Sequence, residues 1–453
     1  MALLDPYSGS WTTAEAAHLA RRVGFGATPS QVASLVSLGR SAAVDSFVNF
    51  DPLDTTVDSQ ISALPNTGQY AQIKNPQSKS QLQGWWLYRM VHTPQPLHEV
   101  FLLLLHDMLT TEFRKIEQNL SDRVNPGNDG TDEDAVCPPA DIEGGDDPLE
   151  PDPTRGTRWA TRIIKDQNTL MRQKCMSAYA ALFKDVTRDP AMLMYLDNKD
   201  NSAGGVQENF SRESMELFSM GVGNYSEQDV VELAKVFTGE TIDDQCAHNF
   251  PLTYYWDLSR HSTGSKSVLG TTIPFSSTPG QETNQAIDLI LSKITNSGIT
   301  PYHGTLPAAS IFLAWRLLLW FVKETIEITD PAVGELAAIH NAISVNGYRL
   351  DARETLRVLL NSQLFYDTAY RFEMYKHPVD YAVGALRLLG LEETSYTSRL
   401  PSYLEEMGMD ILDPPDVNGW DHGRFWIYSN SLIGRFNYAN EISKSSMLSD
   451  AYV

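Results

Sequence analysis

Between Gln207 and Asp229 the chain reads QENFSRESMELFSMGVGNYSEQD, a segment that can bury one side and wet the other only as a helix. At about 100° per residue, Glu208, Asn209, Arg212, Glu213 and Glu216 fall within roughly 140° of arc, with Phe210, Met215, Leu217 and Phe218 opposite. Gly221-Val222-Gly223 then stops the helix, and Ser226 to Asp229 opens another, VVELAKVFTG, ending at Gly239. The same period recurs along the chain. Thr12 or Thr13 caps a helix bearing His18, Arg21 and Arg22, which stops at Gly24-Phe25-Gly26. Thr28-Pro29-Ser30 begins the next, and a polar, weakly patterned stretch runs to about Lys79. An aromatic-rich helix follows through Trp85, Trp86 and Tyr88, then one from Leu97 to about Lys115 holding His98, His106 and Asp107. Further helices are expected over Trp159 to Lys184, Thr283 to Thr295, Ala308 to Glu324, Ala332 to Asn346, Ala352 to Leu360 and Pro378 to Leu389.

The expected architecture is mainly α: a multi-layer helical protein around one continuous core, as a single large helical domain over residues 1–453. A small irregular or β-containing patch is expected near residues 241–278, where aromatic and β-branched residues lose the helical period. Residues 125–157 combine acids with Gly and Pro and read as an inserted, mobile acidic loop. No apolar run approaches the roughly 18 residues a membrane span needs, so a soluble protein is expected. The formal net charge of −22 opposes binding to nucleic acid and suits a basic protein partner. Cys137, Cys175 and Cys246 allow at most one bridge. No secretory signal is visible in this sequence, although a removed one would leave the same trace, so the compartment stays open.

Five ordered blocks carry a family resemblance: HLARRVGFGATPSQV, TRDPAMLMYLDN, QENFSRESMELFSMGVGNYSEQDVVELAKVFTG, KHPVDYAVGALRLLG and DPPDVNGWDHGRFWI. Together they resemble the bacterial family catalogued as domain of unknown function 1800. The resemblance spans nearly the whole chain and implies no established reaction; its members are often exported and often encoded beside a phosphatase/sulfatase-like family. Where such members usually show Trp-His-Asn-His-Phe, this chain has Leu105-His106-Asp107-Met108-Leu109, which retains one histidine of the pair. Glu240 follows Thr238-Gly239 where tryptophan is usual.

Two carboxylates held beside an arginine can divide into an acid and a base when burial moves one of them. Glu208, Arg212 and Glu213 are therefore the candidate catalytic groups, joined by His106 from an apolar helix. The bland reading of Glu208, Arg212 and Glu216 is a surface ion-pair ladder, and that of His106 a packed core histidine. Candidate binding residues are His18 and Arg22 near the Gly24-Phe25-Gly26 turn, His261 and Lys266 in RHSTGSK, and Trp420 in an aromatic loop suited to stacking. Each has a structural alternative, a clamp for His18 and Arg22 and a core plug for Trp420. Lys376-His377-Pro378 most simply starts a helix.

No cofactor is expected, and no nucleophile elbow, phosphate loop or dinucleotide fingerprint occurs. A metal ion would rest on His106 with Glu213 or Glu216. Asn128, Asp129, Asp132 and Asp134 miss the calcium-loop spacing. The resulting expectation is a hydrolase acting on a small-molecule or polymer substrate, with the 207–220 helix facing a cleft lined by His and Trp. The alternative is a noncatalytic binding or assembly protein whose blocks are packing determinants.

Overall fold

Thr12 accepts from the backbone while Glu15 bonds back to it, a reciprocal cap that starts the first helix, Thr13–Val23. Comparable caps at Thr28 and Ser226 start Pro29–Leu38 and Glu227–Val236. Local chemistry of this kind recurs through the computed structural model, which describes residues 3–124, 154–243, 252–295, 305–343, 352–391 and 395–444. Among them are 20 α-helices and two antiparallel pairs of short strands, so the protein is mainly α. Glu240–Ile242 pairs with Tyr254–Trp256, and Lys266–Val268 pairs with Thr271–Ile273 through a tight turn at Leu269-Gly270. Both turn residues have positive φ, 53° and 79°. These strands fall in the region whose helical period was lost.

The helix Pro96–Met108 lies at the centre, buried at all 13 positions. Thr13–Val23, Arg40–Val48, Lys79–His92 and Arg155–Lys174 pack around it. Burying each of Leu102, Leu103 and Leu104 contributes about 2 kcal/mol. The same helix carries Glu99 into the interior, where Arg172 pairs with it and Trp86 Nε1 donates to it at 3.0 Å. A buried carboxylate requires such partners. On another side Ala308–Phe321 packs against Pro331–Ile343, Gln281–Ser292 and the turn Glu216–Met220. Pro378–Leu389 leans on Lys79–His92, and Arg399–Glu406 joins it to the last helix, Ser429–Lys444.

Several boundaries differ from expectation. The helix expected to reach Lys115 ends at Met108 and a separate helix, Phe113–Val124, follows. The long helix expected over Trp159 to Lys184 breaks into Arg155–Lys174 and Tyr179–Val186. Two short helices, Thr56–Ala63 and Gly68–Lys74, occupy the stretch that shows little pattern; their buried contacts are few, Val57, Ile61 and Ile73. The segment after Asn209–Met215 widens into a π-helix, Glu216–Met220. Among the described residues no helix is long and apolar enough to cross a membrane. Nearly all of the acidic loop, with Asn128, Asp129, Asp132, Asp134 and Cys137, lies outside the described residues, as does Cys246. Cys175 is buried as a free thiol.

Candidate functional site

Arg21 and Arg22 occupy the last turn of Thr13–Val23. Beyond them Phe25 and Gly26 take φ of 59° and 101°, folding the chain so that the N–H groups of Gly24 and Gly26 both reach the Ala20 carbonyl, at 2.9 and 3.0 Å. The helix Pro378–Leu389 seats directly on this turn because residue 384 is glycine; a Cβ there would stand 2.7 Å from the Phe25 carbonyl oxygen. Arg22 then reaches the end of Ala308–Phe321, donating from Nε to the Phe321 carbonyl at 3.0 Å and from Nη2 to that of Trp320 at 2.7 Å. Those carbonyls have no partner within their own helix, and a cation is favoured there. Burial still pulls the Arg22 guanidinium down to about 10.

Asp107, buried near the end of the central helix, faces three donors. Its Oδ1 accepts from the Trp420 N–H at 2.9 Å, and its Oδ2 meets Arg316 Nη2 at 2.6 Å and His422 Nε2 at 3.3 Å. Gly419, at φ 84°, lets the loop come this close, since a Cβ would overlap the Asp107 carboxylate. Burial alone would raise the Asp107 pKa, but Arg316, His422 and the Trp420 N–H together outweigh it and hold the group below its ordinary value. A carboxylate only accepts, so His422 donates from Nε2, which leaves Nδ1 as the ring's other nitrogen.

Glu324 behaves oppositely. It accepts from the backbone of Tyr375 and Gly423, yet burial dominates and pushes its pKa up. His377 caps Pro378–Leu389, accepting the Asp380 N–H on Nδ1 at 3.1 Å, which places the proton of its neutral ring on Nε2. Burial lowers His377 to about 4, so the ring is uncharged near neutral pH. Trp320 stands between the two histidines, 5.4 Å from His377 and 5.8 Å from His422.

Asp107, Glu324, His377 and His422 line one cavity of about 40 Å³ with Arg21, Arg22, Trp320, Trp420 and Trp426. A second cavity of about 340 Å³ also has Asp107 in its wall, together with Arg316 and Glu216. A pair of carboxyls driven apart by their surroundings is the arrangement acid and base chemistry requires. Here Asp107 is held low and bonded to His422, while Glu324 is pushed up by burial. Among the described residues no three His, Cys, Asp or Glu side chains are grouped as metal ligands.

Of the residues singled out from sequence, Arg22 and Trp420 line the smaller cavity. His106 lies behind its wall, packed between Trp86 and Trp420 at 5.4 and 5.5 Å, and burial lowers it to about 4. His18 donates from Nε2 to the Phe365 carbonyl at 2.9 Å, and burial, with Arg22 and Arg21 adding to it, lowers it to about 3. His261 and Lys266 come together around Glu282, with Lys266 Nζ 2.7 Å from Glu282 and 3.2 Å from His261 Nε2. Arg212 pairs with Glu227 at 2.7 Å and Glu208 at 3.6 Å on a wetted face. Glu213 is half-buried, and burial followed by the charge of Glu216 pushes it up to about 7. None of His18, His106, Glu208, Arg212, Glu213, His261 and Lys266 lines the smaller cavity.

Sequence reasoning missed Asp107, Arg316, Glu324 and His422, and read His377 only as a helix start. Adjacent helical positions diverge by about 100°, so His106 turns to the core while Asp107 turns to the cavity. That divergence is what delivers Asp107 to the cavity. The signal lay in three blocks read separately: HLARRVGFG, KHPVDYA and DPPDVNGWDHGRFW each supply part of one wall.

Over residues 18–125 and 153–453 the chain matches the family described as protein of unknown function, DUF1800, and it belongs to that family. No curated protein and no solved structure matches it.

Proposed function

We propose that this member of the DUF1800 family is an enzyme, and that its cavity performs hydrolytic acid–base chemistry. The observation that carries this reading is the opposed pair: Asp107 held below its ordinary value against Arg316 and His422, and Glu324 pushed above its ordinary value by burial, on the walls of one small cavity. His422, oriented by Asp107, takes the proton of an attacking water on Nδ1. Glu324 gives its proton to the leaving atom. The His377 Nε2–H and the Arg21 guanidinium face developing negative charge. About 40 Å³ admits only the reacting group, so the body of the substrate stays at the mouth, beside the exposed Phe372 and Tyr375.

The test is a turnover screen of the whole protein on activated carboxylic esters, phosphoesters and glycosides, repeated with Glu324→Gln and His422→Asn. Each variant is expected to lower kcat/KM by about 10²–10⁴-fold, the usual worth of a positioned acid or base. Turnover unchanged in both folded variants contradicts the reading.

A second reading keeps the chemistry on the 207–220 helix, favoured by the Glu213 carboxyl standing up at about 7, where it can exchange protons near neutral pH. Under it Glu213→Ala removes turnover and Glu324→Gln does not. A noncatalytic binding role is favoured if no substrate class turns over while a ligand still raises Tm.

A further inference from the structure

The larger cavity, about 340 Å³, lies beyond the Asp107–Arg316 ion pair and is mostly apolar. One side of it is the π-helical turn Glu216–Met220. The extra residue in such a turn displaces the side chains from the line of the preceding α-helix, and such turns gather at functional sites. Here it brings Glu216, Leu217 and Met220 to the cavity wall. Ser219 ties the turn by donating to the Ser214 carbonyl at 2.5 Å, and the Gly221 N–H closes it on the Met215 carbonyl at 3.2 Å.

Facing it, Ala308–Phe321 presents Ile311, Phe312 and Trp315. The Trp315 Nε1–H is already spent on the Ile326 carbonyl at 2.9 Å, so the ring offers its hydrocarbon and π surface. The charges do not balance. Arg316 is neutralised by Asp107 at 2.6 Å, which leaves Glu216 and the exposed Glu327 as the net charge on the lining. The Tyr225 hydroxyl, 2.5 Å from Glu216, holds that carboxylate in place.

We propose that this cavity binds an organic ammonium ion: Leu217, Ile311, Phe312 and Trp315 enclose its apolar body, while Glu216 and Glu327 face its charge. The assignment concerns binding and stands whether or not the smaller cavity is catalytic.

Isothermal titration calorimetry on the full chain with octylammonium and with octanoate tests it. Octylammonium is expected to bind about tenfold or more tightly than octanoate, the worth of one charge-assisted hydrogen bond. Glu216→Gln, which keeps the shape, is expected to erase most of that preference, and Leu217→Trp, which fills the space, to abolish binding of both. Circular dichroism checks that both variants fold. Absence of octylammonium binding to the wild-type chain, equal or tighter octanoate binding, or unaltered binding by folded Leu217→Trp would each overturn the proposal.

Discussion

Asp107 is the residue on which the site turns, because removing it strands a cation. Its side chain is 0% exposed and that of Arg316 13%. Losing one partner of such a pair costs about 3 kcal/mol, and replacing both by apolar groups recovers part of it. Asp107→Ala should therefore lower the denaturant midpoint, and Asp107→Ala with Arg316→Met should restore some of it. A double variant as weak as the single one would show that Arg316 is not the stranded group. The signs of the pH effects differ between the carboxyls. Asp107, depressed in the fold, contributes stability above its unfolded value that is lost as pH falls through the folded one. Glu213 has the reverse sign: its neutral form is favoured, so its contribution is present below 4.5 and lost as pH rises toward about 7. Glu213→Gln should flatten stability across that window, and an unchanged slope between pH 4.5 and 7 would refute the assignment.

Elements were legible where local chemistry decides them. The caps at Thr12 and Ser226 and the Pro-started helix Pro378–Leu389 follow from sequence because their first turns supply their own donors and acceptors. The π-turn at Glu216–Met220 was not legible, since it depends on tertiary contact with Ala308–Phe321 rather than on propensity. That slip accompanies the placing of Glu216 and Leu217, on opposite sides of an arc drawn at a constant 100° per residue, on one cavity wall, whereas Glu208, Arg212 and Glu213 precede it and line neither cavity. Helix Ser429–Lys444 was missed for another reason: Leu432, Ile433 and Phe436 are exposed, which blurs its apolar face. The glycines that set the spacing between elements make a direct prediction. Gly419→Ala combines a left-handed φ of 84° with overlap on Asp107, and should cost about 2 kcal/mol or more by chemical denaturation. A loss under about 0.5 kcal/mol would mean the 413–426 loop can retreat from the central helix.

Across the whole molecule, the formal charge of −22 opposes compaction through self-repulsion. Raising salt from about 10 mM to about 150 mM, where the screening length shortens to roughly 8 Å, should raise Tm; a fall would mean that attractive pairs outweigh the repulsion. The site itself is a whole-molecule property. Residues from five distant segments, near 21, 107, 320, 377 and 422, meet on one cavity, and no single stretch of sequence contains Asp107, Glu324 and His422 together. The family blocks marked most of those segments, while the pairing of Asp107 with His422 and the burial of Glu324 arise only when the layers close. The central claim is that this closure drives two carboxyls apart. Carboxyl-13C NMR titration of the full chain, with resonances assigned through Asp107→Asn and Glu324→Gln, measures it directly. The account predicts that Glu324 titrates above the ordinary glutamate value and Asp107 below the ordinary aspartate value; Glu324 titrating at or below its ordinary value, or Asp107 above its own, would contradict it.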